Sequence, residues 1–432
     1  MKINLVNYVR FRKLLYFKYR NISFQKKILK DPLIAGTIVD VENYVARKMG
    51  VNEKKYEPTS MNTENRAHLN KYLVKNQSDL PPRTMQDSFA SAIIPLNDVF
   101  IRNKYVALLG SVRVGRLLED MDIFAVYICH LYILNPNVPT GNVTPYTIAT
   151  ARVDKIIFTD ISPKNDEDIK LSGFISWVGS TSLEVMVWLE RQIDGQWKEI
   201  TKAVFLMVAR DSLNIKGAVI NPLIATNDEE ATLLKGGDER KKMRLKATES
   251  HITKVIPTPS ELQYCYELFT KTIDVDEMAL TRQKLPPDSN WSDKCKMSQL
   301  VISHPEHRNL HNKVFGGFMM RLALEFSYGL GYHYTTLRPK FKYISDITFT
   351  KPVEINSLLQ MHAQIVYTEG NFFEVMVYAE QWDAEVKTKN VTNVFFFTYE
   401  CTGKLAPVYP RSYMDAMQLI QGYRNFKTAL NI

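Results

Sequence analysis

Between Ser303 and Tyr334 the chain runs polar, then glycine-rich, then apolar. Asn309, His311 and Asn312 come first, the pair Gly316-Gly317 follows, and Phe315, Met319, Leu322, Phe326 and Leu330 recur at spacings of 4, 3, 4 and 4. That spacing predicts one buried stripe of a helix. Glycine at the mouth of a helix lets a ligand approach backbone N–H groups closely. Those groups have no partner within the helix and sit at the positive end of its dipole, so a polarisable carbonyl could dock there. The same pattern also fits a plain loop entering a core helix, and spacing alone does not separate the two.

A second stretch, Val112 to Tyr132, carries acids. Leu117, Leu118, Met121, Phe124, Ala125, Ile128 and Leu131 follow the helical period, Gly115 lies in the first turn, and Glu119, Asp120 and Asp122 lie between. On pattern alone these acids are a solvated helix face or partners of Arg113 and Arg116. His304, His307 and His311 with Glu306 have spacings of 3 and 4, but Pro305 and the coming glycines oppose a continuous helix. With no HExxH pattern, no metal is expected. No GxGxxG and no phosphate-loop lysine motif occurs, so nucleotide hydrolases and dehydrogenases have no support.

Strands surround both helices. Ser88 to Leu96 reads as a strand with an edge proline, and Met297 to Ser303 as another. Ile169, Leu171, Gly173, Ile175 and Trp177 alternate with Lys170, Ser172, Phe174 and Ser176; Leu183, Val185, Val187 and Leu189 alternate with Glu184, Met186, Trp188 and Glu190, and Asp194-Gly195 predicts a hairpin returning along Trp197 to Ala209. Ser345 to Val353, Leu359 to Ile365, Phe373 to Ala379 and Val391 to Tyr399 repeat that sequence of elements. LEVMVWLE at 183–190 recurs as FEVMVYAE at 373–380. Strand, helix and about four antiparallel strands thus occur twice, which predicts an internal duplication with each sheet curled around its helix. Between the copies, a helix over Ser260 to Lys271 is expected, capped by Ser260 and packed through Leu262, Tyr266 and Phe269. The basic run Arg240, Lys241, Lys242, Arg244 and Lys246 reads as a solvated face.

Charge narrows the function classes. The 432 residues carry a net charge of +9, and nine of the 55 Lys and Arg residues fall within the first 30 positions, ahead of the first acid, Asp31. The remaining 46 balance the 46 Asp and Glu residues, so the body offers no footprint for a polyanion and no nucleic-acid partner is expected. The basic, acid-free leader has the character of a mitochondrial transit peptide. The longest apolar run, Phe124 to Leu134, is too short to span a bilayer. Four scattered cysteines, Cys129, Cys265, Cys295 and Cys401, suit a reducing compartment.

Two stretches, Val112 to Asp122 and Asn309 to Phe318, resemble the acyl-coenzyme A thioesterase family, in its mitochondrial type; the second resembles the signature N-H-H-G-N-x-F-G-G, with Asn312 where that family has glycine. The resemblance spans about residues 86–410 and implies an α+β tandem hot-dog fold. The expected organisation is a transit peptide at 1–30, an extension at 31–85, a first hot-dog domain at 86–215, a linker with helices at 216–289, a second hot-dog domain at 290–410 and a tail at 411–432. It implies an acyl-coenzyme A substrate, no cofactor, a matrix location and a trimer of tandem units. The family works with an asparagine before the glycine pair and an acid seven residues past its second glycine. Here the first half supplies Asp122, seven past Gly115, but has Ala107 where the asparagine belongs; the second supplies Asn309 but has Leu324 at the acid position. A composite site follows: Asp122 as base or nucleophile, Asn309 to orient, and N–H groups around Gly316, Gly317 and Phe318, with Gly115 as their counterpart. Glu325 and Glu119 are the alternative acids. The rival functions are a hot-dog hydratase or dehydratase, for which His311 or His333 would have to serve, and a non-catalytic acyl-coenzyme A sensor.

Overall fold

The computed structural model describes residues 29–50, 63–107, 110–139, 141, 143–154, 156–158, 166–249, 251–273, 282–307, 313–355, 357–383 and 387–430. The expected transit peptide and Asn309, His311 and Asn312 lie outside them.

The chain opens with β1 (Leu33–Thr37) and α1 (Ile38–Met49), then β2 (Ala90–Ile94), the short α2 (Val99–Tyr105) and the long α3 (Val114–Tyr132). Next come β3 (Thr147–Val153), β4 (Ile156–Phe158), β5 (Ile169–Val178), β6 (Ser182–Ile193) and β7 (Gln196–Arg210). Two helices follow, α4 (Asp228–Glu249) and α5 (Pro259–Thr270). The second half runs β8 (Lys296–Ile302), α6 (Gly316–Thr335), β9 (Lys340–Ile344), β10 (Ile347–Phe349), β11 (Leu358–Glu369), β12 (Phe372–Asp383), β13 (Thr388–Glu400) and α7 (Tyr413–Leu430). The α+β class is as expected.

Among the described residues, thirteen strands form one sheet, ordered β1-β2-β5-β6-β7-β3-β10-β13-β12-β11-β8, with β4 and β9 pairing beside the seam, and Asn290–Trp291 pairs separately with Val408–Tyr409. The halves are sewn by β3 on β10 (Ile347 opposite Val153) and β4 on β9 (Ile344 opposite Ile156), both antiparallel. The helices α3 and α6 pack side by side inside this curled sheet. Gly173 lets Ile128 of α3 seat on β5: a Cβ there would lie 2.7 Å from the Ile128 Cδ1.

Several expectations need correction. A register shift between Ile175 and Trp177 turns Trp177 to the outer face, opposite Glu184, where it packs on α4 at Gly237. The strand expected at Ser345 to Val353 is only the short β10 at Ile347–Phe349, and a further strand that was not expected, β9, precedes it at Lys340–Ile344. On α6 the buried face is Met319, Met320, Ala323, Leu324, Ser327 and Leu330, because the helix is wedged between sheet and α3; Leu322 and Phe326 are only half-buried. Helix α5 is capped by Thr258, not Ser260, with Pro259 at its first position. Its buried residues are Glu261 and Leu268, whereas Leu262 and Tyr266 are exposed, since α7 approaches from the other side through Arg424 and Tyr423. Helix α4 is only partly a solvated face: Lys241, Lys242 and Lys246 are exposed, but Arg240 and Arg244 both pair with the buried Glu184, and Arg244 also reaches Asp154 at 2.6 Å.

Candidate active site

Helix α3 points Asp122 into the contact with α6, where it is 1% exposed. The Gly317 N–H donates to Asp122 Oδ2 at 2.7 Å, and Thr150 Oγ1 on β3 donates to Oδ1 at 2.7 Å. The helix α6 begins at Gly316, so Gly317 lies in its first turn, where N–H groups lack intrahelical acceptors. Only glycine fits there: a Cβ on Gly317 would lie 2.9 Å from both the Asp122 Cβ and the Glu119 Cα. The two helices therefore touch backbone to backbone where the carboxylate meets the N–H. A Cβ on Gly316 would lie 3.4 Å from Asp122 Oδ2 and 3.0 Å from the Phe349 ring on β10.

Burial pushes the Asp122 carboxyl up to about 6, against the lowering effect of its two hydrogen bonds, and the neighbouring Glu119 charge adds to the rise. Above that pH it is an anion, and among the described residues no cation pairs with it directly. Such a group can accept a proton near neutrality.

The other expected residues separate clearly. Phe318 stacks on His307 with ring centroids 3.7 Å apart and lies under Arg321. Glu119 sits between Arg116 and Arg321, each at 2.7 Å. Glu325 is held by Arg113 at 2.6 Å, at the opposite end of the helix contact, beside Gly115. A Cβ on Gly115 would lie 3.3 Å from Glu325 Oε1, so Gly115 faces Arg321 and Glu325 as Gly317 faces Glu119 and Asp122. Leu324, at the position matching Asp122, is a buried core residue, and Ala107 donates its N–H to the Ser111 carbonyl. Asp120 is fully buried and accepts from the Tyr105 hydroxyl at 2.6 Å.

Of the histidines, His307 contacts Glu306 at 3.0 Å, and among the described residues no three His, Cys, Asp or Glu side chains cluster as a metal set. Among them, too, no helix is long and apolar enough to cross a membrane. Sequence reasoning missed Thr150. It sits on a strand that the sequence reading passed over, and its role exists only through the fold of β3 against α3.

No family model matches the chain. The chain is 37% identical over 369 residues to the mitochondrial acyl-coenzyme A thioesterase 9 of Bos taurus, covering 84% of this chain and 83% of that protein. It is 35% identical over 366 residues to the protein of the same name from Homo sapiens, with the same coverage. A mitochondrial acyl-coenzyme A thioesterase 4 of Humulus lupulus matches at 28% over 338 residues, 75% of this chain and 62% of its own length. Among solved structures, an acyl-CoA hydrolase from Staphylococcus aureus in complex with butyryl coenzyme A and coenzyme A aligns with a TM-score of 0.31 and 16% identity, over 32% of this chain and 89% of that one. One from Agrobacterium tumefaciens aligns with a TM-score of 0.24 and 14% identity, over 76% and 100%.

Proposed function

The chain belongs to the acyl-coenzyme A thioesterase family, and from that premise we propose that it hydrolyses fatty acyl-coenzyme A to free fatty acid and coenzyme A at a composite site between two tandem hot-dog halves. The observation that carries this is the hydrogen bond from Gly317 N–H to Asp122 across the α3–α6 contact. A base from one half and a helix N-terminus from the other meet at one point, and the matching positions on the opposite side hold Leu324 and the Arg113–Glu325 pair. The tandem reading is supported by the like strand orders β2-β5-β6-β7-β3 and β8-β11-β12-β13-β9.

In the proposed step Asp122 takes a proton from water as its oxygen bonds to the thioester carbon. The carbonyl electrons move onto oxygen, which first-turn N–H groups of α6 stabilise; one such donor is worth about 3–4 kcal/mol of barrier. Collapse breaks the carbon–sulfur bond, and the proton held by Asp122 passes to the leaving thiolate. Thr150 and Gly317 fix the carboxylate, and Asn309, in the loop before α6, orients water or the carbonyl. The protein acts in mitochondria, in the matrix, as its relatives' names and its basic leader suggest. It assembles as a homo-oligomer, a trimer of double units; the outermost strand β8, with Met297, Leu300 and Ile302 exposed, supports association, and its mass in solution is the measure.

The test is release of thiol from acyl-coenzyme A, read with a thiol reagent. Asp122→Asn and Asn309→Ala should each cost at least ~100-fold in kcat with folding intact. The double variant should be little worse than the worse single one, because groups acting as a unit are not additive. Glu325→Gln should do far less, since Arg113 holds that side chain away from the Gly317 turn. An inactive Glu325→Gln beside an active Asp122→Asn would move the acid to the second half.

A further inference from the structure

Glu119 and Arg321 occupy matching places, each four residues past the glycine, Gly115 or Gly317, that lets its helix approach the other. They pair with one another: Arg321 Nε lies 2.7 Å from Glu119 Oε2, with the side chains 17% and 18% exposed. Matching positions that touch each other lie on the axis relating the two halves. Two identical chains meeting there would set like beside like, whereas one chain holding both halves can place opposite charges. The same Glu119 oxygen also accepts from Arg116 Nη1 at 2.7 Å, so one carboxylate is clamped by two guanidinium groups, one from each half.

Glu119 is one turn before Asp122 on α3, and its backbone forms the other wall of the Gly317 contact. The groups that face Asp122 are few. Its own helix supplies Glu119 and Cys129. Strand β3 supplies Thr150, β10 the uncharged Phe349 ring over Gly316, and α6 the Gly317 N–H, with Arg321 reaching it only through Glu119. The turn at Pro305–His307 sets His307, stacked on Phe318, beside Glu119 and Arg321. Glu119 is thus the charge nearest in kind and place to disturb the base.

We propose that Arg321 is a positioning residue for the reaction: with Arg116 it clamps Glu119, keeping an uncompensated negative charge from standing beside Asp122 and locking the first turn of α6 against α3. This rests on Asp122 being the base. A carboxylate left bare beside Asp122 favours its protonated, inactive form, so losing Arg321 must raise the pH at which activity sets in.

The experiment is the pH profile of kcat/KM of the full chain on octanoyl-coenzyme A. Arg321→Gln should move the acid limb up by ~0.5 pH unit or more, and Arg321→Lys, which keeps the charge, should move it less. Glu119→Gln should move the limb down, and adding it to Arg321→Gln should bring the limb back. A purely structural role predicts a lower rate at every pH with the limb in place and no recovery from the second change; that result overturns the proposal. Should Arg321→Gln fail to fold, Glu119→Gln decides alone, since an unmoved limb there is equally fatal. If Asp122→Asn is inactive and these limbs stay put, the positioning role falls while the base stands. If Asp122→Asn stays active, both fall.

Discussion

Asp122 and Glu374 are two carboxyls that burial treats alike and the fold uses differently. Asp122 is met by a hydroxyl and a helix N–H, which lets it ionise near neutrality. Glu374 is fully buried on the outer face of β12, its only described partner is the Thr398 hydroxyl, and its Oε1 has none among the described residues. Burial pushes it up to about 8, so it is neutral at pH 7. The sign follows from proton counting. Between the ordinary carboxyl range and pH 8 the folded chain holds a proton that the unfolded chain has lost, so the stability Glu374 contributes is full below that window and drains as pH rises through it. Glu374→Gln removes this dependence. The stability of the variant relative to the natural chain should therefore climb between pH 5 and pH 8, by at most about 1.4 kcal/mol per pH unit, in urea titrations at several pH values. Parallel curves for the two proteins would mean that Glu374 ionises in the folded chain over the ordinary carboxyl range.

Glu184 stands where Glu374 does, in the recurring EVMV run, and sits opposite a register shift in both halves. There the linker helix α4 answers it with Arg240 and Arg244. Arg244 also binds Asp154, Asp154 meets Arg152, and Arg152 reaches Asp346 of the other half at 2.5 Å, next to the seam strand that carries Thr150. Breaking such a buried set leaves charges without partners, so Arg244→Ala should cost about 3 kcal/mol in chemical denaturation; a cost below ~1 kcal/mol would place α4 among solvated surface helices. The sequence reading of this element failed for a physical reason. A run of arginines and lysines looks alike whether it faces water or a buried acid, and Glu184 looks like any outward residue of an alternating strand. What was legible was periodicity: α3 within two residues, the start of α6 within one, the Asp194-Gly195 hairpin with both residues at positive φ, and the strand runs β5 to β7 and β11 to β13. Trp177 escaped because a bulge breaks the period of two on which the reading rests. Asp122 was singled out by the family's count from its second glycine, matched here to Gly115; its place in the structure is the α3–α6 contact, where Gly317 leaves no room for a side chain. Thr150 escaped because nothing in its neighbours marks it before the strand is placed.

At the scale of the molecule the two halves are unequal partners in one sheet. The first half carries Asp122 and Thr150, the second carries the glycine turn, and β3, β4, β9 and β10 join them through paired backbone and buried Val153, Ile156, Ile344 and Ile347. Each half is also roofed by a helix from outside its own strands: α4 lies over Trp177 and Trp188, while α7 lies over Val366 and Tyr367. Cutting the chain strips both kinds of cover. Residues 86–215 alone would expose the seam, the α6-facing side of α3 and the surface under α4; residues 290–410 would expose the seam and the surface under α7. Each fragment should be insoluble or inactive on acyl-coenzyme A. A fragment that hydrolysed at the full rate would have to build its site without either Asp122 or Gly317, since each contains only one of them. Full activity in either half would therefore remove the composite site itself. Activity confined to the uncut chain is what a carboxylate and an N–H held 2.7 Å apart by two different helices require.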